Sequence, residues 1–390
     1  MSEKNKNDAQ HPATRAVRAA LESDTQFGAV VPPIHLSSTF AFAGFEQRRQ
    51  YDYGRSGNPT RDSLAAAIAD LEGAAGGVIT ASGMAAVTLV TQLLAPGDVL
   101  IAPHDCYGGT YRLFNSFAQR GLFDVLFIDQ SEQTAWSAAL ARNPKLIWVE
   151  TPSNPLLRIT DIESVATQAR AQQALLVVDN TFLSPVWQRP IALGADIVVH
   201  STTKYLNGHS DVVGGAVLAA SKELQAKLDW WANCIGVTGA PFDSYLTLRG
   251  LRTLHARMTI HGSNAMTTAR FLAEHPAVKT VHYPGLATHP QHALATRQQQ
   301  GYGAMVSFEL RGGVEGVRTL VSKLKLFSLA ESLGGVESLI AHPATMTHAA
   351  MDADARQRAG LVDGLLRLSI GIEAVEDLVA DLKTALDSVK

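Results

Sequence analysis

Between residues 76 and 219 the chain repeats one pattern: a short continuous run of Val, Ile, Leu and Ala, a polar or glycine-containing turn, then usually a stretch of helical character. The runs are "GGVITAS", "DVLIAPH", "FDVLFIDQ", "KLIWVET", "ALLVVDN", "ADIVVHS" and "VVGGAVLAA", and helix-like "GMAAVTLVTQLL", "TYRLFNSFAQRG" and "IESVATQARAQQ" lie among them. A strand that is apolar at nearly every position must be covered on both faces, which points to a mostly parallel sheet with crossover helices rather than a half-solvated antiparallel one. The fold class expected is therefore α/β, a mostly parallel sheet sandwiched by helices.

At 390 residues the chain exceeds the size at which one hydrophobic core usually stops growing, so more than one domain is expected. Residues 1–60, with "VVPPIHLSSTFAF" and "YDYGRSGNPTR", carry no sustained period and read as an extended arm. Long helical stretches near 225–275 form a plausible joint, and "AVKTVHYPG", "GAMVSFEL" and "LLRLSIGI" beyond it read as a smaller mixed sheet backed by helices. The division expected is an arm over 1–60, a larger domain over 61–255 and a smaller α/β domain over 256–390.

Several functions lose support at this level. With 33 Lys and Arg against 36 Asp and Glu, and no basic stripe, there is little electrostatic case for nucleic acid or an anionic membrane. Only Cys106 and Cys234 are present, which suggests neither a disulfide framework nor a paired-thiol metal site, and a reducing cytoplasm is the expected home. There is no apolar run of spanning length and no signal-peptide core in the polar start "MSEKNKNDAQHPATR". The sequence lacks a G-x-x-x-x-G-K-[ST] phosphate loop, an H-E-x-x-H metal helix and a G-x-S-x-G elbow.

In open α/β sheets ligands bind beyond the carboxyl ends of the strands, so the residues that close each apolar run are the ones to inspect. They are Ser82, Gly83 and Met84 at the start of a helix of small residues; His104, Asp105 and Tyr107; Glu150 and Asn154; Asp179, Asn180 and Thr181; then Ser201, Thr203 and Lys204. Each has a plain structural explanation on its own, such as a capping serine, a turn glycine, a packed tyrosine or a strand-end acid. Together and in order they match the needs of pyridoxal phosphate: a lysine for its aldehyde, a carboxylate for its ring nitrogen, N–H donors for its phosphate and an aromatic ring to stack on. A less polar pocket lowers a lysine's pKa and frees the neutral amine for such chemistry.

"YDYGRSGNPTR", "ASGMAA", "DCYGGTYRLF", "ETPSNP", "VVDNTF", "HSTTKYLNGHSDVVGG" and "LAESLGGVESL" together resemble the Cys/Met-metabolism, or trans-sulfuration, group of fold-type I pyridoxal phosphate enzymes over roughly residues 15–385. The resemblance implies that Lys204 takes the cofactor's aldehyde, that Asp179 pairs with the ring nitrogen beside Thr181, and that Tyr107 stacks on the ring. It implies that Gly83, Met84, Ser201 and Thr203 cradle the phosphate. Tyr53 and Arg55 in the arm would reach the phosphate of a neighbouring subunit, in a homotetramer built from two active dimers. Arg367 is implied as the site of the substrate α-carboxylate, with Asn154 and Ser332 beside it, while Arg55, Tyr107, Arg112 and Glu331 complete substrate binding.

Within the group, Glu331 in "AESLGG" and Gly109 after "YG" are similar to the γ-synthase and γ-lyase branch, and "WWANCIGVTGAPFDSYLTLRGLRTL" looks most like its bacterial γ-synthase members. The reaction so implied is γ-replacement: L-cystathionine formed from O-succinyl- or O-acetyl-L-homoserine and L-cysteine, with Lys204 and Tyr107 handling protons. Cystathionine γ-lysis, or both activities, is the alternative. Ser56 stands where some γ-synthases carry a second arginine, which leaves the choice of acyl group open.

Overall fold

In a computed structural model, residues 10–349, 356 and 359–389 are described. The seven apolar runs all become strands: β1 (Gly76–Thr80), β2 (Val99–Pro103), β3 (Asp124–Ile128), β4 (Leu146–Glu150), β5 (Leu175–Asp179), β6 (Ile197–His200) and β7 (Gly215–Ala219). They form one sheet in the order β1-β7-β6-β5-β4-β2-β3. Pairing is parallel from β6 across to β3 and antiparallel only where β7 lies between β6 and β1.

Both faces are covered, as the continuous apolar runs require. Leu100, Leu146, Trp148, Val177 and Val199 face one way, against Val87, Leu89 and Val90 of helix Gly83–Thr91 and Phe114 of helix Gly108–Gln119. Their neighbours Ile101, Ile147, Val149, Leu176 and Val178 face the other way, against Ile162, Val165, Ala166 and Ala169 of helix Ile162–Ala171. Successive strand residues thus feed two separate cores.

The second sheet is smaller: β8 (Val278–His282), β9 (Met305–Leu310), β10 (Ser328–Leu329), β11 (Leu339–Ala341) and β12 (Leu365–Ser369), in the order β10-β11-β12-β9-β8. Helix Leu254–Glu274 links the sheets, its Leu254, Met258, Ala265, Ala269 and Leu272 packing in one core with Tyr205 and Leu206 of the larger part and Val306 and Phe308 of the smaller. The two shortest strands, β10 and β11, carry no pattern long enough to read from sequence.

Among its described residues the arm holds one short helix, Pro12–Val17, tied down by Arg15 donating to Asp70 at 2.8 Å. Beyond it the arm has only isolated bridges, such as Thr39 with Tyr53, until Asn58 caps helix Pro59–Glu72 by accepting from the Thr60 and Arg61 N–H groups. We propose the division into an arm over 1–60 and domains over 61–255 and 256–390, with the second boundary inside the linking helix; residues 1–9 of the arm lie outside the described residues.

Candidate active site

The carboxyl ends of β4, β5 and β6, the amino end of helix Gly83–Thr91 and three segments of the smaller part enclose a cavity of about 440 Å³. Gly83, Met84, Tyr107, Asn154, Asp179, Thr181, Ser201, Thr203, Lys204, Glu331, Ser332 and Arg367, all predicted from sequence, line it.

Lys204 follows β6, and its Nζ donates to Ser332 Oγ at 2.6 Å. Burial pulls the ammonium down from 10.5 to about 8, the Arg367 guanidinium pushes the same way, and Glu331 opposes them weakly. Asp179 ends β5 and accepts the Thr181 N–H on Oδ1 at 3.0 Å. Enclosure of its carboxyl holds the pKa above the ordinary value, against the lowering effect of the Thr181 hydrogen bonds. Opposite it in register, Glu150 ends β4, and burial and then the Asp179 charge push its pKa well up. Glu150 accepts the Tyr107 N–H at 2.9 Å and so fixes the backbone from which that aromatic ring stands over the cavity.

Ser82 caps helix Gly83–Thr91 by accepting the Ala85 N–H at 3.0 Å. Gly83 and Met84 precede the first intrahelical bond, so their N–H groups are available to an anion at the positive end of the helix. Gly83 is needed for closeness: a Cβ there would stand 2.9 Å from Ser201 Cβ. Ser201 is itself held by its N–H donating to Thr181 Oγ1 at 2.9 Å. The Thr203 hydroxyl is committed to Gly214, donating to its carbonyl at 3.2 Å and accepting its N–H at 3.0 Å.

Arg367 lies on β12 and is 3% exposed. Its Nη1 donates to Asn154 Oδ1 and its Nη2 to the Ser332 carbonyl, both at 2.9 Å, while its buried Nε has no partner among the described residues. Ser332 is held at φ +81°, a conformation that costs a non-glycine residue about 1–3 kcal/mol and is tolerated where surroundings enforce it. Here one residue anchors both cations, Lys204 through its hydroxyl and Arg367 through its carbonyl.

Tyr53, Arg55 and Arg112 do not line this chain's cavity. Tyr53 and Arg55 are exposed on the arm, where Arg55 donates to Asn233 Oδ1 at 2.6 Å, and Arg112 is exposed on helix Gly108–Gln119. Sequence reading gave no role to Glu150 and did not find Phe182, Val213, Leu333 or Thr347 in the wall. Glu150 carried the strand-end signal; Thr347 comes from a loop of the smaller part that no motif marks.

The set fits pyridoxal phosphate on its own geometry: an amine of lowered pKa, an enclosed carboxyl, two free N–H groups at a helix start beside a glycine that admits close approach, and an aromatic ring, all on one cavity. Comparison with known proteins agrees. The chain is 58% identical to the cystathionine γ-synthase of Escherichia coli over 95% of this chain and 96% of that one. It is 48% identical to the cystathionine γ-lyase of Dictyostelium discoideum, over 96% and 97%. A crystal structure of cystathionine γ-synthase from Xanthomonas oryzae pv. oryzae, in complex with aminoacrylate and cysteine, superposes with a TM-score of 0.97 at 60% identity, covering 97% of this chain and 98% of that one. The family model described as Cys/Met metabolism PLP-dependent enzyme matches residues 13–387, and with a site of matching chemistry at the ends of its strands this chain belongs to that family.

Proposed function

We propose that the chain joins an O-acyl-L-homoserine, succinyl or acetyl, to L-cysteine by γ-replacement, giving L-cystathionine and the free acid. The observation that carries an α-amino-acid substrate is the double anchoring on Ser332, which sets a lysine amine and a buried arginine with an unpartnered Nε beside the same residue. An amino group and a carboxylate on one carbon need such a pair. The γ-synthase names of relatives at 58% and 60% identity support replacement at Cγ over other outcomes.

Bound pyridoxal phosphate supplies an aldehyde for the substrate amine and a ring that withdraws electrons from the bonds at Cα. Lys204 would hold the aldehyde at rest through Nζ. Once the substrate amine has displaced it, the freed amine at pKa near 8 is suited to take a proton from Cα and, after giving that proton up, to take another from Cβ. The acyl carboxylate departs from Cγ, the cysteine sulfur adds there, and Nζ returns the protons. Asp179 would hold a positive charge at the ring nitrogen, which the enclosed carboxylate favours strongly once that charge is present. Gly83, Met84, Ser201 and Thr203 would hold the phosphate, the Thr203 hydroxyl turning its hydrogen from the Gly214 carbonyl to do so while still accepting the Gly214 N–H. Tyr107 would stack on the ring and help the incoming amine or thiol lose its proton. Arg367 would take the α-carboxylate in its planar fork, with Asn154 fixing the fork's angle. Glu331 and Arg112 would shape the site of the second substrate.

A second reading, γ-lysis of cystathionine, draws support from the relative at 48% identity named cystathionine γ-lyase. Incubation with O-succinylhomoserine plus cysteine, with O-acetylhomoserine plus cysteine, and with cystathionine alone separates them. The proposal expects cystathionine from an acyl ester to form faster than cystathionine is consumed. Faster release of 2-oxobutanoate and cysteine from cystathionine would reverse the assignment.

A further inference from the structure

The loop over residues 342–349 brings to the edge of the cavity a buried imidazole that the proposed reaction does not use. His348 is 1% exposed. Its Nε2 is 3.1 Å from the Asn154 backbone carbonyl and its Nδ1 is 2.8 Å from the Thr347 hydroxyl. A carbonyl only accepts, so Nε2 carries the hydrogen, and a neutral imidazole then offers a lone pair at Nδ1 to which the Thr347 hydroxyl donates. Burial pulls His348 down to about 4, with the nearby Arg367 charge acting the same way, in keeping with a neutral ring.

The contacts continue in both directions. Asn154, 3% exposed, accepts Arg367 Nη1 on Oδ1 at 2.9 Å. Thr347 lines the cavity, and its carbonyl faces Gly108 so closely that a Cβ there would lie 3.1 Å from it, which closes the loop down on the helix that follows Tyr107. A single thread, Thr347 to His348 to Asn154 to Arg367, therefore joins one wall of the cavity to the arginine fork.

We propose that His348 is a positioning residue: donating from Nε2 to the Asn154 carbonyl and accepting from Thr347, it fixes Asn154 under Arg367 and so sets the angle at which the fork meets the substrate α-carboxylate. This rests on the reading of Arg367 as the carboxylate site. The alternative, that His348 merely fills space, makes a different forecast, because a space-filling residue is replaced about as well by an apolar ring as by a hydrogen-bonding side chain and a positioning one is not.

The test uses the holoenzyme and propionate, a carboxylate with no amino group, as competitor against the acylhomoserine substrate. His348→Phe should weaken inhibition by propionate about tenfold, the loss expected when a hydrogen bond that orients a charged group is removed. It should raise KM more than it lowers kcat and leave the visible absorbance of the bound cofactor unchanged. His348→Gln, whose Nε2 can donate to the same carbonyl, should return propionate inhibition to within about threefold of the parent. Thr347→Val, which keeps the shape and removes only the hydroxyl, should shift inhibition in the same direction by less, and serves if the phenylalanine variant does not fold. Unchanged propionate inhibition in Thr347→Val together with either an unchanged His348→Phe or a His348→Gln no better than it would overturn the proposal. Absence of propionate competition in the parent enzyme, with normal cofactor absorbance, would overturn the assignment of Arg367 itself and the proposal with it.

Discussion

Lys204 differs from the other described lysines in its surroundings, and those surroundings make a pH prediction. Its ammonium is disfavoured by burial and by Arg367, so the neutral, reactive amine is half populated near pH 8 rather than 10.5. Reconstitution of cofactor-free protein, followed by visible absorbance, should therefore quicken about tenfold per pH unit up to about 8 and then level off. A rate still climbing at the same slope above pH 9 would show that the pocket does not lower this pKa. Lys204→Ala should lose turnover by about a thousandfold or more and lose the lysine-linked absorbance band. Asp179 allows a sharper separation of stability from function. Because enclosure raises its pKa, the charged form at neutral pH costs the cofactor-free protein stability, and that cost is absent once the group is neutral. Asp179→Asn keeps the acceptor for the Thr181 N–H, so its cofactor-free form should melt no lower than the parent while turnover falls about a hundredfold or more. A melting temperature several degrees lower would contradict this account of the carboxyl. Both residues were legible in sequence, since Asp179 ends a continuous apolar strand and Lys204 follows just beyond one; Glu150 was visible in the same way, but its bond to the Tyr107 backbone was not, because it joins two different strand ends.

Strands and helices were read from the chain with few errors because each run of β-branched residues is short and bounded by polar or glycine residues. The antiparallel placement of β7 carried no such mark: covered strands look alike whichever way they run, and only the topology sends β7 back between β6 and β1. That placement matters to the site, since it brings Gly214 to the Thr203 hydroxyl and Gly215 under Ser82, where an added Cβ would lie 2.3 Å from the Ser82 carbonyl. The helix start at Gly83 makes the corresponding prediction. A methyl group on Gly83 would meet Ser201 Cβ at 2.9 Å and its Oγ at 3.0 Å, so Gly83→Ala must push the helix start and the β6 end apart. Cofactor affinity, measured by titration of cofactor-free protein, should fall about tenfold or more while secondary structure by circular dichroism is unchanged. Undiminished affinity would show that this helix end does not hold the phosphate. The loops carrying Ser332, Leu333 and Thr347 were less legible, as they have neither the two-residue nor the 3.6-residue period and reach the cavity only through the packing of the smaller sheet on helix Leu254–Glu274.

Two sheets and an arm account for the chain, yet one surface is left without a reason within a single copy. The arm exposes Phe27 at 83%, Val30 at 71% and Phe45 at 91%, and two side chains of the cavity wall, Tyr107 and Val213, are exposed at 44% and 63%. So many large apolar side chains exposed along one segment point to an interaction surface. Tyr53 and Arg55 lie on the same arm, Arg55 standing 5.7 Å over the Tyr53 ring and away from this chain's own cavity. The proposal that they serve a neighbouring subunit, within a tetramer of two dimers, predicts complementation. Arg55→Ala and Lys204→Ala should each be nearly inactive alone, the first through the phosphate and the second through the amine. If each cavity takes Lys204 from one chain and Arg55 from the other, a mixed dimer has one site bearing both defects and one bearing neither. Random reassortment of equal amounts, by unfolding and refolding together, makes half of the dimers mixed and should therefore restore about a quarter of the parent's activity. If both residues served one chain's site, every site in the mixture would carry one defect and nothing would be restored. Activity that stays at the level of the separate variants, in a mixture shown by mass to contain mixed dimers, would place Arg55 with its own chain and leave the exposed arm to be explained otherwise.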